Sequence, residues 1–337
     1  MKYIVCEKPG EFLLKEKEAP IRKTGEALLK ITKIGICGTD LHAYAGNQAF
    51  FNYPRILGHE IAARVAEIDE NDKGLKVGDN VVVIPHLYCG SCVACRQGKT
   101  NCCTSLKLYG VHTDGAMQEY FAVPVALLLP AQKLTDGQIA LVEPLAIGAH
   151  AVKRAQLVAG ETIVVLGCGP IGLGLMKFAK LAGTKVIAVD LNKDRLAYAK
   201  QVMGVDHTVM AGENATGEID KLTNGDMATA VFDCTGHKGA MEAGPDYMAH
   251  GGRFILVGLY KGSLCFDHPK IHAKETTIIC SRNAVLEDFK YVLKVMEDGD
   301  FPADSFITHT VDFTEMIANF ERWLDPATGV IKATVNF

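Results

Sequence analysis

Residues 162 to 190 restrict the fold more than any other stretch of this chain. An apolar run from Thr162 to Leu166 leads into Gly167, Gly169 and Gly172, spaced G-x-G-x-x-G. A helical run from Leu173 to Leu181 follows, then a second apolar run from Lys185 to Val189 that ends at Asp190. Among 33 glycines such a triplet alone says little, but strand, tight turn, helix and second strand in succession make a parallel βαβ unit. In that unit the glycines let the backbone approach a pyrophosphate, and the helix N-terminus offers it N–H groups. An acid about 20 residues on accepts hydrogen bonds from a ribose. Asp190 also repels a 2′-phosphate, so the expected cofactor is NAD rather than NADP.

The same alternation continues from about Ile147 to residue 284. Expected strands run from Thr229 to Cys234, leading to Thr235 and Gly236, from Arg253 to Val257, ending at Gly258, and from Thr276 to Cys280, followed by Ser281 and Arg282. Ligands of such sheets sit beyond the carboxyl ends of the strands, so these ends are expected to face the cofactor. Upstream, the texture from Tyr3 to about Leu129 is β: short runs (Ala27 to Ile34, Val65 to Ile68, Val81 to Ile84, Tyr120 to Val125) broken by Gly, Pro and Asp, as in a barrel or sandwich. Downstream, Glu287 to Glu297 and Met316 to Leu324 read as helices and Val330 to Val335 as a closing strand. A chain of 337 residues suits two domains. With no long linker between textures, it is expected to leave the first domain (1–146), build the second (147–284) and return to complete the first (285–337).

Eleven cysteines, an odd number, cluster rather than spread: five lie between Cys89 and Cys103. Cys89, Cys92, Cys95 and Cys103 read C-x2-C-x2-C-x7-C, four thiolates with the spacing of a closed structural zinc site. Cys102 competes with Cys103 and is taken as a spare thiol. The clustering favours metal in a reducing compartment over disulfides.

A second constellation spans Gly35 to Glu60: Cys37, Thr39, Asp40 and His42, then Gly58, His59 and Glu60. Thiol, imidazole and carboxylate are the donors zinc takes in catalytic sites that keep one position open, so this stretch is expected to be the reaction centre. A net charge of −4 without a basic block gives no case for nucleic acid or an anionic membrane; only Arg96, Lys99 and Lys107 lie near the cysteine lobe. No apolar run reaches the roughly 18 residues of a membrane span, and the expected location is cytoplasmic. His250, His268 and His272 read as solvated or packed rather than catalytic.

Together, Gly35-Ile36-Cys37-Gly38-Thr39-Asp40, the Gly58-His59-Glu60 triplet, the four-cysteine lobe and the later glycine unit resemble the zinc-dependent medium-chain alcohol dehydrogenases along the whole length. Within them the chain is most similar to the sorbitol dehydrogenase and L-galactonate or L-gulonate 5-dehydrogenase branch. The resemblance implies an α/β fold, a Rossmann doubly wound parallel sheet plus a GroES-like β-barrel catalytic domain. It implies a catalytic zinc beside the structural one, NAD, a homodimer or homotetramer, and hydride transfer from a secondary alcohol of a polyol or sugar acid.

Residue by residue, the resemblance makes Cys37 and His59 zinc ligands and places Glu143, in Leu141-Val142-Glu143-Pro144-Leu145, at the third position. A carboxylate in such apolar company is costly to bury without a cation. Glu60 is the competing ligand, and both glutamates are assigned to the zinc, their division open. The resemblance further implies Thr39 and His42 as proton relay and Asp40 as the group orienting His59. It implies cofactor contacts from Gly167, Gly169, Pro170, Ile171, Gly172, Asp190, Arg195, Thr235, Gly258 and Ser281. Arg282, His112 and Lys107 are candidates to meet a substrate carboxylate, and Phe50, Phe51 and Tyr53 to line a pocket. The chain departs from the family at Ala63 and Asp69, where glycines are usual, so that strand is expected to bend differently. Competing readings are a non-catalytic NAD-binding sensor, a zinc-free quinone reductase, which the cysteine lobe opposes, and a dehydrogenase for another alcohol such as threonine.

Overall fold

The chain crosses between two folding units twice, at Glu143–Pro144 and at Ala284–Val285. A computed structural model describes residues 1–48 and 51–337; Phe50 lies outside the described residues. The first unit joins Met1–Glu143 to Val285–Phe337, and the second is Pro144–Ala284.

In the first unit one sheet runs in the lateral order Ile307–Asp312, Lys332–Asn336, Glu26–Ile36, Glu60–Glu67, Asn80–Val83, Leu128–Pro130, and Tyr120–Pro124 also pairs with Glu26–Ile36. All these pairings are antiparallel except that of Ile307–Asp312 with Lys332–Asn336. Leu29, Ile31, Ile34, Ile61, Val81 and Val83 bury their side chains in its core. Glu26–Ile36 is the spine: it ends one residue before Cys37, and its register sets Gly35 opposite Glu60, the residue after His59. Two segments distant in sequence therefore arrive side by side at one end of the sheet. The ladder slips between Ile31 and Lys33, opposite Ala63 and Ala62, while the Asp69 carboxylate is taken by Arg22 at 2.7 Å.

Helix Asp136–Ala155 carries the chain out of this unit and holds Pro144 inside it. Proline lacks the N–H that would bond the carbonyl four residues back, so the local sequence gives no helical signal there. Near the C-terminus, Leu286–Glu297 is helical, whereas the stretch expected as one helix from Met316 splits into an α-turn, Met316–Phe320, and a 3₁₀ turn, Glu321–Leu324.

The second unit is a six-stranded parallel sheet. Its strands in chain order are Thr162–Leu166, Lys185–Asp190, His207–Met210, Ala228–Asp233, Met248–Leu256 and Thr277–Cys280. Laterally they run third, second, first, fourth, fifth, sixth, the Rossmann order, whose reversal falls between the first and fourth strands. Val164, Leu166, Ile187, Val189, Val231 and Phe254 fill the core. Strands buried on both faces explain why these runs are apolar throughout rather than alternating. Among the described residues no helix is long and apolar enough to cross a membrane.

Candidate active site and zinc lobe

Cys37 caps the short helix Gly38–Tyr44, and Asp40 of that helix closes the turn by accepting the Cys37 N–H at 2.9 Å. The turn fixes the thiol at the end of the spine strand. Donor atoms of Cys37, His59 and Glu60 all lie within 4.8 Å of one another, with His59 and Glu60 buried. Asp40 is also buried, and its Oδ1 stands 3.9 Å from His59 Nδ1. Too long for a hydrogen bond, that distance leaves Asp40 acting on the imidazole through charge. Neither atom has a hydrogen-bond partner among the described residues.

Glu143, 5% exposed, lies outside that 4.8 Å group but near enough to feel the charges of His59, Glu60 and Lys332. Burial pushes its carboxyl up to about 7, against the pull of His59 and Lys332. Burial alone would lower the His59 imidazole, but Cys37 and Asp40 beside it outweigh that and hold it well above its usual range. The site thus gathers one thiol and three carboxyls. Among the described residues Lys332 is the only buried Lys or Arg to face them. Lys332 donates to both Glu60 oxygens, at 2.7 and 2.8 Å, and to the Ile36 carbonyl at 3.0 Å. Soft and hard donors in anionic excess, with buried polar atoms unpartnered, suit a divalent cation of the zinc type. Sequence reasoning missed Lys332; its signal was a lone lysine in the apolar run Val330 to Val335.

On the helix that follows Cys37, Thr39 is half-buried, and His42 is exposed with Nδ1 2.9 Å from Asn47 Oδ1. The Phe51 and Tyr53 rings pack edge to face at 4.7 Å, and the Tyr53 hydroxyl donates to the Ala43 carbonyl. His112 is exposed, its Nδ1 accepting the Leu108 N–H at 3.1 Å; Lys107 and Arg282 are exposed as well.

The sulfurs of Cys89, Cys92, Cys95 and Cys103 also lie within 4.8 Å of one another. Backbone N–H groups point at them: Cys89 N–H to Cys103 Sγ at 3.3 Å, Cys92 N–H to Cys89 Sγ at 3.3 Å, Ser105 N–H to Cys103 Sγ at 3.4 Å. Such bonds favour thiolates, the form that binds metal. Cys102 is exposed and outside the group.

In the second unit, Gly167 adopts φ +96° and Gly169 caps helix Pro170–Leu181, with Pro170 in its first turn and Ile171 half-buried. A Cβ on Gly172 would lie 1.9 Å from the Gly167 carbonyl oxygen, so the turn closes only without one. Asp190 accepts from the Cys168 N–H at 2.6 Å and the Asn192 N–H at 2.8 Å. Arg195 follows on helix Lys193–Tyr198. At the fourth strand's end Thr235 donates to Asp233 at 2.6 Å, and the Gly258 N–H, just past the fifth strand, bonds the Asp233 carbonyl at 2.9 Å. Ser281 is buried after the sixth strand, its hydroxyl without a partner among the described residues.

Comparison with known proteins matches residues 23–133 to the alcohol dehydrogenase GroES-like domain and residues 170–298 to the zinc-binding dehydrogenase model. The chain belongs to the zinc-binding alcohol dehydrogenases. It is 41% identical to the L-galactonate-5-dehydrogenase of Escherichia coli K12 over 337 residues, covering 100% of this chain and 99% of that protein. Identity to the 2-dehydro-3-deoxy-L-galactonate 5-dehydrogenase of Pseudoalteromonas atlantica is 33%, with 88% and 87% covered. A solved short chain alcohol dehydrogenase from E. coli CFT073, complexed with NADH, superposes with a TM-score of 0.93 at 30% identity, covering 100% and 99%. As a zinc-binding dehydrogenase the chain is an oxidoreductase, built from a GroES-like unit and a Rossmann unit, with zinc and a nicotinamide dinucleotide as cofactors.

Proposed function

We propose that this dehydrogenase oxidises a secondary alcohol of a sugar acid or polyol, with L-galactonate or L-gulonate as the leading substrates, and passes the hydride to NAD. The observation that carries the reaction type is the Cys37–His59–Glu60 donor group, its imidazole and carboxylate buried, with the buried Glu143 carboxyl near enough to feel the His59 and Glu60 charges. The full-length identity to an L-galactonate-5-dehydrogenase supports the substrate class.

Cys37, His59 and Glu143 hold zinc in this reading, Glu60 being the alternative third ligand. Zinc supplies a Lewis acid that lowers the pKa of a hydroxyl it meets. The Thr39 hydroxyl takes the substrate proton as it gives up its own towards His42, which, held by Asn47 at the solvent edge, passes a proton on to water. Asp40 faces His59 Nδ1 at 3.9 Å and orients the imidazole, while burial pushes its own carboxyl up against the pull of His59. Cys89, Cys92, Cys95 and Cys103 hold the second, structural zinc.

Gly167, Gly169, Pro170, Ile171 and Gly172 receive the pyrophosphate, Asp190 the adenosine ribose, and Arg195, Thr235, Gly258 and Ser281 complete the cofactor contacts. Preference for NAD over NADP rests on the Asp190 charge. An aldonate needs a cation at its carboxylate, and Arg282, His112 and Lys107 are the candidates. A homodimer or homotetramer built through the Rossmann unit completes the reading.

NADH formation on a panel of aldonates, polyols, threonine and short alcohols, before and after metal removal and zinc restoration, tests it. Zinc-dependent turnover confined to aldonates or polyols is expected. Metal-replete protein that binds NAD and turns over nothing on the panel overturns it.

A further inference from the structure

Helix His268–Ala273 connects the fifth and sixth strands of the parallel sheet and carries two histidines four residues apart. It starts on Asp267, whose carboxylate accepts the Lys270 N–H at 3.4 Å, with Pro269 in the first turn, where its missing N–H costs nothing. Residues i and i+4 share one face of a helix. There the His268 and His272 rings meet, with centroids 5.6 Å apart and planes at 51°.

Two lysines of the same segment fix where that face looks. Lys274 donates to the Pro245 and Met248 carbonyls at 2.8 and 2.5 Å, and Lys270 pairs with the Asp246 carboxylate. Together they hold one side of the helix on the turn Gly244–Tyr247 and the start of the strand after it. His268 and His272 each precede a lysine by two residues, about 200° of rotation, and so lie on the opposite side. Both are exposed, and among the described residues neither imidazole hydrogen-bonds elsewhere. His250 differs: its Nδ1 is 3.2 Å from the Ala273 carbonyl, at the far end of the helix.

Paired imidazoles at this spacing hold zinc in H-E-x-x-H helices. A metal–nitrogen bond of about 2.0–2.1 Å sets each ring centre about 3.2 Å from the ion, and a tetrahedral angle then puts the centres about 5.2 Å apart. The observed 5.6 Å is a small side-chain rotation from that value. Pro269 stands where those helices carry a glutamate base, so the pair has the means to bind a metal and not to activate water with it. Cys265, exposed and three residues before His268, does not join the pair in a three-donor group within 4.8 Å.

We propose that His268 and His272 form a metal site of their own for a borderline divalent cation of the nickel, copper or zinc kind, with water in the remaining positions. Imidazole suits these ions, whereas magnesium and calcium take oxygen donors. The site lies in the second unit, apart from both zinc groups of the first, and does not depend on the substrate or mechanism proposed above. Because the rings meet only while the turn is helical, the ion binds the folded helix and stabilises it.

The test uses the full zinc-replete chain dialysed against nickel(II), with nickel and zinc both counted by elemental analysis. About one nickel per chain is expected to bind with no zinc released. H268Q and H272Q are each expected to weaken nickel binding about tenfold or more, since either leaves a single donor where a chelate stood. The double variant should bind no more weakly than either single one. H272Q/A273H keeps the number of histidines but moves one off the shared face, and it too should lose the nickel, while C265S keeps it. Nickel should raise the thermal unfolding midpoint of the unaltered protein and leave that of H268Q unmoved. Nickel bound only in exchange for zinc, or held equally by H268Q and H272Q, overturns the proposal. So does retention by H272Q/A273H, because the metal would then be responding to histidine content and not to this face.

Discussion

Asp190 accepts the Cys168 N–H at 2.6 Å, which ties the end of the second parallel strand to the glycine turn that follows the first. Both carboxylate oxygens already serve backbone groups, the other taking the Asn192 N–H at 2.8 Å. The residue is thus both a clasp on the turn and the expected acceptor for a ribose. D190A is expected to weaken NAD binding about 10–100-fold, the equivalent of about 1.5–3 kcal/mol for hydrogen bonds to a charged group. Removing the charge also removes the repulsion of a 2′-phosphate, so the NAD to NADP preference should narrow. Titration of both cofactors against protein fluorescence checks it; a variant that loses both equally would leave only the clasp.

The closure of that turn has a steric condition. With a Cβ on Gly172 only 1.9 Å from the Gly167 carbonyl oxygen, backbone rather than a flexible side chain must move. G172A is expected to cost about 1–3 kcal/mol, as overpacked sites do, and to reduce NADH affinity in step. Thermal unfolding alone and with NADH reads both, and the stabilisation by cofactor should shrink in the variant.

Adjacent cysteines separate structural metal binding from mere thiol content. Cys103 is buried within the four-sulfur group, and Cys102 beside it is exposed and outside. C103S is expected to lose about one metal equivalent per chain and to unfold at lower temperature, because such sites contribute folding energy directly. C102S should retain its metal. Elemental analysis of the two purified variants decides; equal loss from both would reassign the fourth ligand.

The strand Thr162–Leu166, the glycine turn and the four thiols were legible because each is written in contiguous residues with one physical meaning. The helix Asp136–Ala155 was not, since Pro144 removes an N–H from its interior and the run around Glu143 reads as an apolar segment of no fixed type. Strand Met248–Leu256 also starts before the expected Arg253 to Val257: Met248 and Arg253 to Leu256 pair with the fourth strand, and Ala249, His250, Gly251 and Gly252, which carry no strand preference of their own, fall in the register shift between them. At the active site, residue types could be read from their spacing, but Lys332 could not: its partner Glu60 stands 272 residues away. A lysine in a short apolar strand has no local reason, and only the sheet register supplies one.

Asp206 gives a pH dependence with a definite sign. Burial raises its carboxyl, but the Lys180 ammonium at 2.7 Å and the Val186 N–H at 2.7 Å outweigh it and hold the group below its usual value. A depressed folded-state pKa stabilises the fold above the unfolded value, about 3.9 for Asp, and this contribution fades as pH falls through the lower folded value. The Asp206 side chain is 31% exposed, which limits the effect to about 1 kcal/mol. Denaturant unfolding of D206N should show this loss throughout the neutral range and none once the pH is below both values. A difference that grew towards acid would reverse the assignment.

Lys332 and Glu60 allow a separate prediction about stability, made on the metal-free protein so that ligand exchange does not enter. A buried ion pair is weak support for a fold against apolar replacement, but removing one partner strands the other. With Glu60 at 0% exposure and both its oxygens on Lys332, K332M leaves a carboxylate whose desolvation nothing offsets. The expected loss is about 3–5 kcal/mol. E60Q/K332M removes both charges and should recover most of it, although the Ile36 carbonyl still loses its donor. Denaturant midpoints of the three proteins form the decisive set. A double variant as unstable as K332M would locate the lysine's contribution in that carbonyl and in packing, not in the carboxylate it grips.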